Sequence, residues 1–127
     1  MPVHNRIDFE NEVIYSVYSG TVTAAEVRAA IASTRTDPRM RPEFRTLVDC
    51  SAVTAVELYF DDTAAVAEFS AADAMPQMTG RLAFYVPHRN AVYGALRQFQ
   101  ALSKPLDRVE VFTDRNAARA WIGLPPE

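Results

Sequence analysis

Near the start of the chain Val3, Asn5, Ile7 and Phe9 alternate with polar or charged residues, the two-residue period of a β-strand that turns one face to a core. Val13 to Tyr18 reads as a second strand, and the short Glu10-Asn11-Glu12 between the two predicts a hairpin. The period changes after Gly20. Thr23-Ala24-Ala25-Glu26 has the spacing of a capping box, in which the Thr hydroxyl takes one amide left unbonded by the first helical turn and the Glu carboxylate another. A helix with Val27, Ala30 and Ile31 on one face should follow. It closes at Asp37-Pro38, because proline disfavours helical geometry in the residue before it.

Arg45-Thr46-Leu47-Val48-Asp49-Cys50 has an apolar pair at its middle and lies between two long helical patterns, so it is predicted to be a central strand buried on both faces. It ends in Asp49-Cys50-Ser51, and open α/β sheets place their sites at the carboxyl ends of parallel strands. Residues 52–60 are apolar, with Thr54 and Glu57 as polar breaks, and read as a loop or short extended piece entering a helix at Asp61-Asp62. Val66, Phe69 and Ala72 or Asp73 continue that helix at its own spacing until Met75-Pro76. Arg81 to Val86 is a compact apolar strand. After Pro87 comes a helix whose buried stripe is Val92, Ala95, Leu96, Phe99 and Leu102, ended by Lys104-Pro105. Val109 to Phe112 is the last strand, and Thr113-Asp114 caps a final helix with Ala117, Ala118, Trp121 and Ile122 facing in. Gly123-Leu124-Pro125 has the composition of a glycine C-cap with its hydrophobic contact.

Strand, strand, helix, then strand and helix three times over predicts an α/β fold in one domain spanning residues 1–127. Its sheet should have five strands and be mixed, with the N-terminal strand antiparallel at an edge and about four helices. The 127 residues suffice for one real core, and 49% hydrophobic with 23% charged residues is globular composition. A net charge of -3 argues against a general nucleic-acid binder, whose footprint is basic. The single cysteine, Cys50, excludes an internal disulfide and a multi-cysteine metal site. With no apolar run near about 18 residues and no signal-like start, a cytoplasmic chain without integral membrane association is expected.

The residues offer few constellations for chemistry. Cys50 at a strand end reads as a small buried hydrophobe rather than a nucleophile, since no Cys-His-Asn arrangement is recognisable. His88 could act as a general base near the sheet's carboxyl edge, and a small hydrolase or transferase using Asp49, Ser51 and His88 is the enzymatic alternative. Neither Asp49 nor Ser51 has a convincing triad partner, and with only His4 besides His88 a histidine metal site is not expected. Arg35, Arg39, Arg41 and Arg45 form a local basic cluster that would suit a phosphate or anionic head group, although interleaved acids favour a solvated loop.

A leading hairpin with Gly20-Thr21-Val22-Thr23 opening the first helix, a third strand ending at Leu47-Val48-Asp49 and an Arg81-Leu82-Ala83 strand form one set of features. With Tyr93-Gly94 in the following helix and a close from Val111-Phe112-Thr113-Asp114 to Ala120-Trp121-Ile122, they resemble the bacterial SpoIIAA-like group of the STAS fold. The resemblance spans nearly the whole chain. It implies a non-catalytic binding or regulatory module, for which a partner protein or a small apolar or amphiphilic ligand and no cofactor are expected; pairing into a homodimer is a further expectation, since symmetric dimers are the commonest oligomers. The ligand-binding residues expected from strand ends and aromatics are Asp49, Ser51, Tyr59, Phe60, Tyr85, His88 and Tyr93, lining a pocket between residues 53–60 and the helix near His88. Anti-sigma-factor antagonists of the STAS fold carry a phosphorylatable serine in a run of the type Asp-Ser-Ser-Gly-Leu after the third strand. The matching Phe60-Asp61-Asp62-Thr63-Ala64-Ala65 has neither serine nor glycine and puts Asp62 or Thr63 at the regulatory position. The aspartates therefore read as helix caps in a constitutive module.

Overall fold

Asp8 and Asn11 build the first turn. In the computed structural model, which describes residues 3–35, 37–57, 80–102 and 108–127, the Asp8 carboxylate accepts from both the backbone and side-chain nitrogens of Asn11, at 3.0 and 2.8 Å. Glu12 takes a positive φ of 58° to complete the reversal. The turn joins β1 (Val3–Asp8) to β2 (Val13–Thr23), which pair antiparallel with Asp8 opposite Val13. At the end of β2 the predicted capping box is present and reciprocal: Thr23 N donates to Glu26 Oε1 at 3.0 Å and Glu26 N to Thr23 Oγ1 at 3.3 Å. Helix α1 (Ala24–Arg35) starts there.

β3 (Arg45–Glu57) pairs parallel with β2, β4 (Leu82–Tyr85) with β3, and β5 (Val109–Phe112) with β4, giving one five-stranded sheet in the order β1-β2-β3-β4-β5. The antiparallel β1 lies at one edge and β3 in the centre, as the hydrophobic pattern predicts. Asn90 caps α2 (Ala91–Leu102), its Oδ1 accepting from Val92 N and Tyr93 N. Asp114 caps α3 (Arg115–Trp121) in the same way through Asn116 N and Ala117 N. Gly123 then takes φ 82°, and bonds from Gly123 N to Ala120 O and from Leu124 N to Arg119 O end the helix, the glycine cap foreseen at Gly123-Leu124.

The core has two layers. Val27 and Ala30 of α1 and Val92, Leu96 and Phe99 of α2 pack with Tyr18, Val48, Cys50, Val53, Phe84, Val86 and Val111. Ala118 and Trp121 of α3, with Ile122 just beyond it, pack with Tyr15, Leu47, Ala83 and Phe112. Leu47 and Val48, adjacent in β3, belong to opposite layers, so the central strand is enclosed on both faces.

Several expectations need correcting. Residues 52–57, expected to be a loop or a short extended piece separate from the central strand, continue that strand, because β3 runs on to Glu57 beside β2. From Val17 to Ser19 on β2 the partners on β3 advance from Asp49 to Ala52, and from Gly20 to Thr21 they advance from Val53 to Ala55. Each step holds one extra residue in β3, a bulge. Cys50 and Val53 are therefore buried and Val56 half-buried at every third position, with exposed pairs between them, a spacing that hides a strand from a search for alternation. Ala117 points to solvent, and the inward positions of α3 are Ala118 and Trp121. Three helices are present among the described residues; the fourth expected one, predicted from Asp61-Asp62 onward, lies outside them. No described helix is long and apolar enough to cross a membrane.

Candidate functional site

One row of side chains crosses the whole sheet: His4, Val17, Asp49, Tyr85 and Phe112 are successive register partners from β1 to β5. Residues two positions back along each strand share a face, so this row lies on the same side as Tyr15, Leu47 and Ala83, the α3 side. Helix α3 is only seven residues long and covers the β4–β5 half. Among the described residues no helix covers the β1–β2 half. Val17 is 45% exposed there, and the Arg6 guanidinium lies 4.3 Å over the Tyr15 ring.

Asp49 joins the covered half to the open one. The Asp114 cap sets Arg115 at the first position of α3, from which Nη1 donates to Asp49 Oδ2 at 2.7 Å, and the guanidinium stands 5.8 Å from the Tyr85 ring. Ser51 N donates to Asp49 Oδ1 at 2.8 Å. Arg115 Nε bonds a second acid, Glu127. Burial by itself would raise the Asp49 pKa, but the hydrogen bonds from Ser51 and the charge and hydrogen bond of Arg115 outweigh it and hold the carboxyl below its usual value. Burial likewise opposes the charge on Arg115, and its two acidic partners more than restore it. The result is a fixed, ionised pair at the centre of a half-open sheet face, suited to orienting a polar group and to excluding an unmatched one.

The predicted site residues divide accordingly. Asp49, Ser51 and Tyr85 come together on the α3 side. Tyr93 does not join them: it packs against the core of the opposite layer with Arg89 5.5 Å from its ring, because the first turn of α2 crosses that face. His88 is exposed in the turn after β4, its carbonyl accepting from Asn90 N at 3.0 Å. Among the described residues no hydrogen bond joins it to Asp49 or Ser51. Tyr59, Phe60, Asp62 and Thr63 lie outside the described residues. Val53, on one wall of the expected pocket, is instead buried in the same core as Val86 and Val92.

Cys50 faces away from Asp49 into the α1–α2 layer, where burial first and the neighbouring carboxylate second push its thiol up to about 12. Among the described residues no three or more His, Cys, Asp or Glu are grouped as a metal site would need. Three arginines of the basic cluster are engaged locally, and the side chain of Arg35 lies outside what the structure describes. Arg39 stacks on Phe9 and bonds Asp37, Arg41 pairs with Glu12, and Arg45 donates to the carbonyls of Asn11 and Ile122.

Sequence reasoning missed Arg115, Glu127 and Val17. A signal for Arg115 existed: it follows the last strand by three positions, at the sheet edge where the central strand ends in Asp49.

A crystal structure of an uncharacterised protein from Shewanella loihica PV-4, of the DUF3478 family with a SpoIIAA-like fold, superposes with a TM-score of 0.60 over 94% of this chain and 91% of that one. The fold is SpoIIAA-like. Identity between the two SpoIIAA-like chains is 14%, so the likeness is one of architecture and carries no site residue across. No family model matches this sequence, and no curated protein matches it.

Proposed function

We propose that this chain is a STAS-type binding or regulatory module with no catalytic role, and that it takes a partner protein on the open half of its α3-side face. The carrying observation is the row Val17–Asp49–Tyr85, in which an exposed apolar residue adjoins a fixed ion pair. Apolar contact beside an oriented polar group is the make-up of a specific protein interface. A small apolar or amphiphilic ligand between β3 and α2 is less well supported, since Val53, Val86 and Val92 fill that layer with one another. A hydrolase built on Asp49, Ser51 and His88 lacks support as well, because Asp49 is committed to Arg115 and, among the described residues, no hydrogen bond joins His88 to Ser51. The module is read as constitutive and cytoplasmic, and a second copy of the chain is among the partners it could take.

Native mass spectrometry of the chain purified from its own host tests this reading. A protein-bound or self-paired species that Val17→Glu dissociates, with the fold retained, is the expected result. A bare 14.1 kDa chain that turns over activated esters, with turnover removed by Ser51→Ala and His88→Ala, would replace the module by the enzyme.

A further inference from the structure

Arg115 presents two edges. Its Nη1 is spent on Asp49, while of the side-by-side Nε and Nη2 donors Nε bonds Glu127 Oε1 and Nη2 makes no hydrogen bond among the described residues. A guanidinium offers that edge as a fork matched to both oxygens of a carboxylate, and here the fork is half used. The segment that delivers Glu127 is positioned rather than loose. Leu124 packs against the α3-side core, Arg119 Nε donates to Pro125 O at 2.7 Å, and Glu127 N donates to Asn116 Oδ1 at 3.1 Å. Pro125 and Pro126 restrict the backbone between these contacts. Glu127 itself is half exposed, so its pair with Arg115 is an exchangeable surface contact, whereas the Asp49 pair behind it is the anchor.

We propose that the Nε/Nη2 edge of Arg115 is a recognition site for a carboxylate side chain of an acidic partner segment, and that Glu127 occupies it in the free chain as an internal stand-in. The inference rests on the binding-module reading and names the partner's chemistry. An incoming carboxylate takes both donors where Glu127 takes one, and Asp49 holds the fork rigid while it does so. Freeing the edge from an exposed competitor should raise apparent affinity about two- to fivefold, the range for an exposed ion pair.

The test is a titration with capped hexaglutamate at constant ionic strength, followed by the Arg115 Nε–H signal and the amides of Asn116 and Ala117. Glu127→Gln is expected to bind hexaglutamate two- to fivefold more tightly than the parent. Arg115→Lys keeps a cation facing Asp49 and lacks the fork, and should lose binding with the fold intact. Equal affinity in the parent and Glu127→Gln would overturn the stand-in. No shift beyond that of hexalysine or added salt, or full binding by Arg115→Lys, would overturn the site. Neither failure touches the interface at Val17, which the mass-spectrometric experiment reads separately.

Discussion

Arg115 Nη1 lies 2.7 Å from Asp49 Oδ2, so the first turn of the last helix is tied to the middle of the central strand across 66 residues of sequence. A side-chain pair of this separation fixes how α3 sits on the sheet, and both groups are only partly screened by water.

Removing that tie should be visible in stability and in its pH dependence. Asp49→Asn should cost about 1–2 kcal/mol at pH 7, a charged hydrogen bond discounted for partial exposure. The folded pKa of Asp49 lies below 3.8, so the unfolded chain binds more protons on acidification. The stability supplied by the carboxylate is thus fully present above that value and is lost as pH falls through the depressed one. Denaturant midpoints of parent and variant should differ at neutral pH and draw together towards pH 3. A gap that stays constant would dismiss the pair as a source of stability.

Trp121 should be the most costly residue of α3 to truncate. Its ring lies 5.7 Å from that of Phe112, and the Arg81 guanidinium stacks 4.9 Å from it while donating to its carbonyl at 2.7 Å. Because the side chain is half-buried, Trp121→Ala should cost about 2–3 kcal/mol, below the usual loss for a fully enclosed aromatic. Urea unfolding checks this, and a loss under about 0.5 kcal/mol would contradict the packing.

Gly80 and Gly94 should respond to alanine with opposite signs. A Cβ at Gly80 would stand 2.0 Å from the carbonyl oxygen of Phe44, where backbone meets backbone and neither can yield. Gly80→Ala should therefore destabilise by about 3 kcal/mol, at the upper end of ordinary overpacking. A Cβ at Gly94, within α2, meets nothing within 4 Å, and alanine there should add about 0.5–1 kcal/mol through helix propensity. Thermal melts of the two variants should move to either side of the parent.

Cys50 should be silent towards thiol reagents. It is 4% exposed, and its thiol is pushed up to about 12, so almost no thiolate exists at pH 8. Labelling by an aromatic disulfide reagent should wait for unfolding and proceed at the opening rate. Rapid stoichiometric labelling of native protein would mean that the layer under α1 and α2 opens to solvent.

Much of the architecture was legible because it is written in local signals. The hairpin turn at Asp8 to Glu12, the capping box of Thr23 and Glu26, the Asp114 cap and the Gly123 stop each depend on residues within five positions of one another. The site was less legible. Asp49, Ser51 and Tyr85 follow from the rule that parallel strands present their carboxyl ends, whereas Arg115 reaches Asp49 only through tertiary placement. Tyr93 looked equivalent to Tyr85 in sequence, yet α2 crosses the sheet on the opposite face and takes Tyr93 with it. The second half of β3 reads in sequence only as a loop or short extended piece, because its inward residues recur every third position, for which neither the strand period nor the helix period is a template.

The two bulges in β3 also say how such a chain can vary in length. A strand lacking one residue between Cys50 and Val53, and another between Val53 and Val56, would carry these three side chains at alternate positions, all still directed into the same layer. Insertion and deletion at these points change the residue count while preserving what faces the core. Descendants of one ancestral sheet can thus drift apart in spacing as well as identity, and their kinship is better traced by matching inward-facing side chains than by counting along the chain.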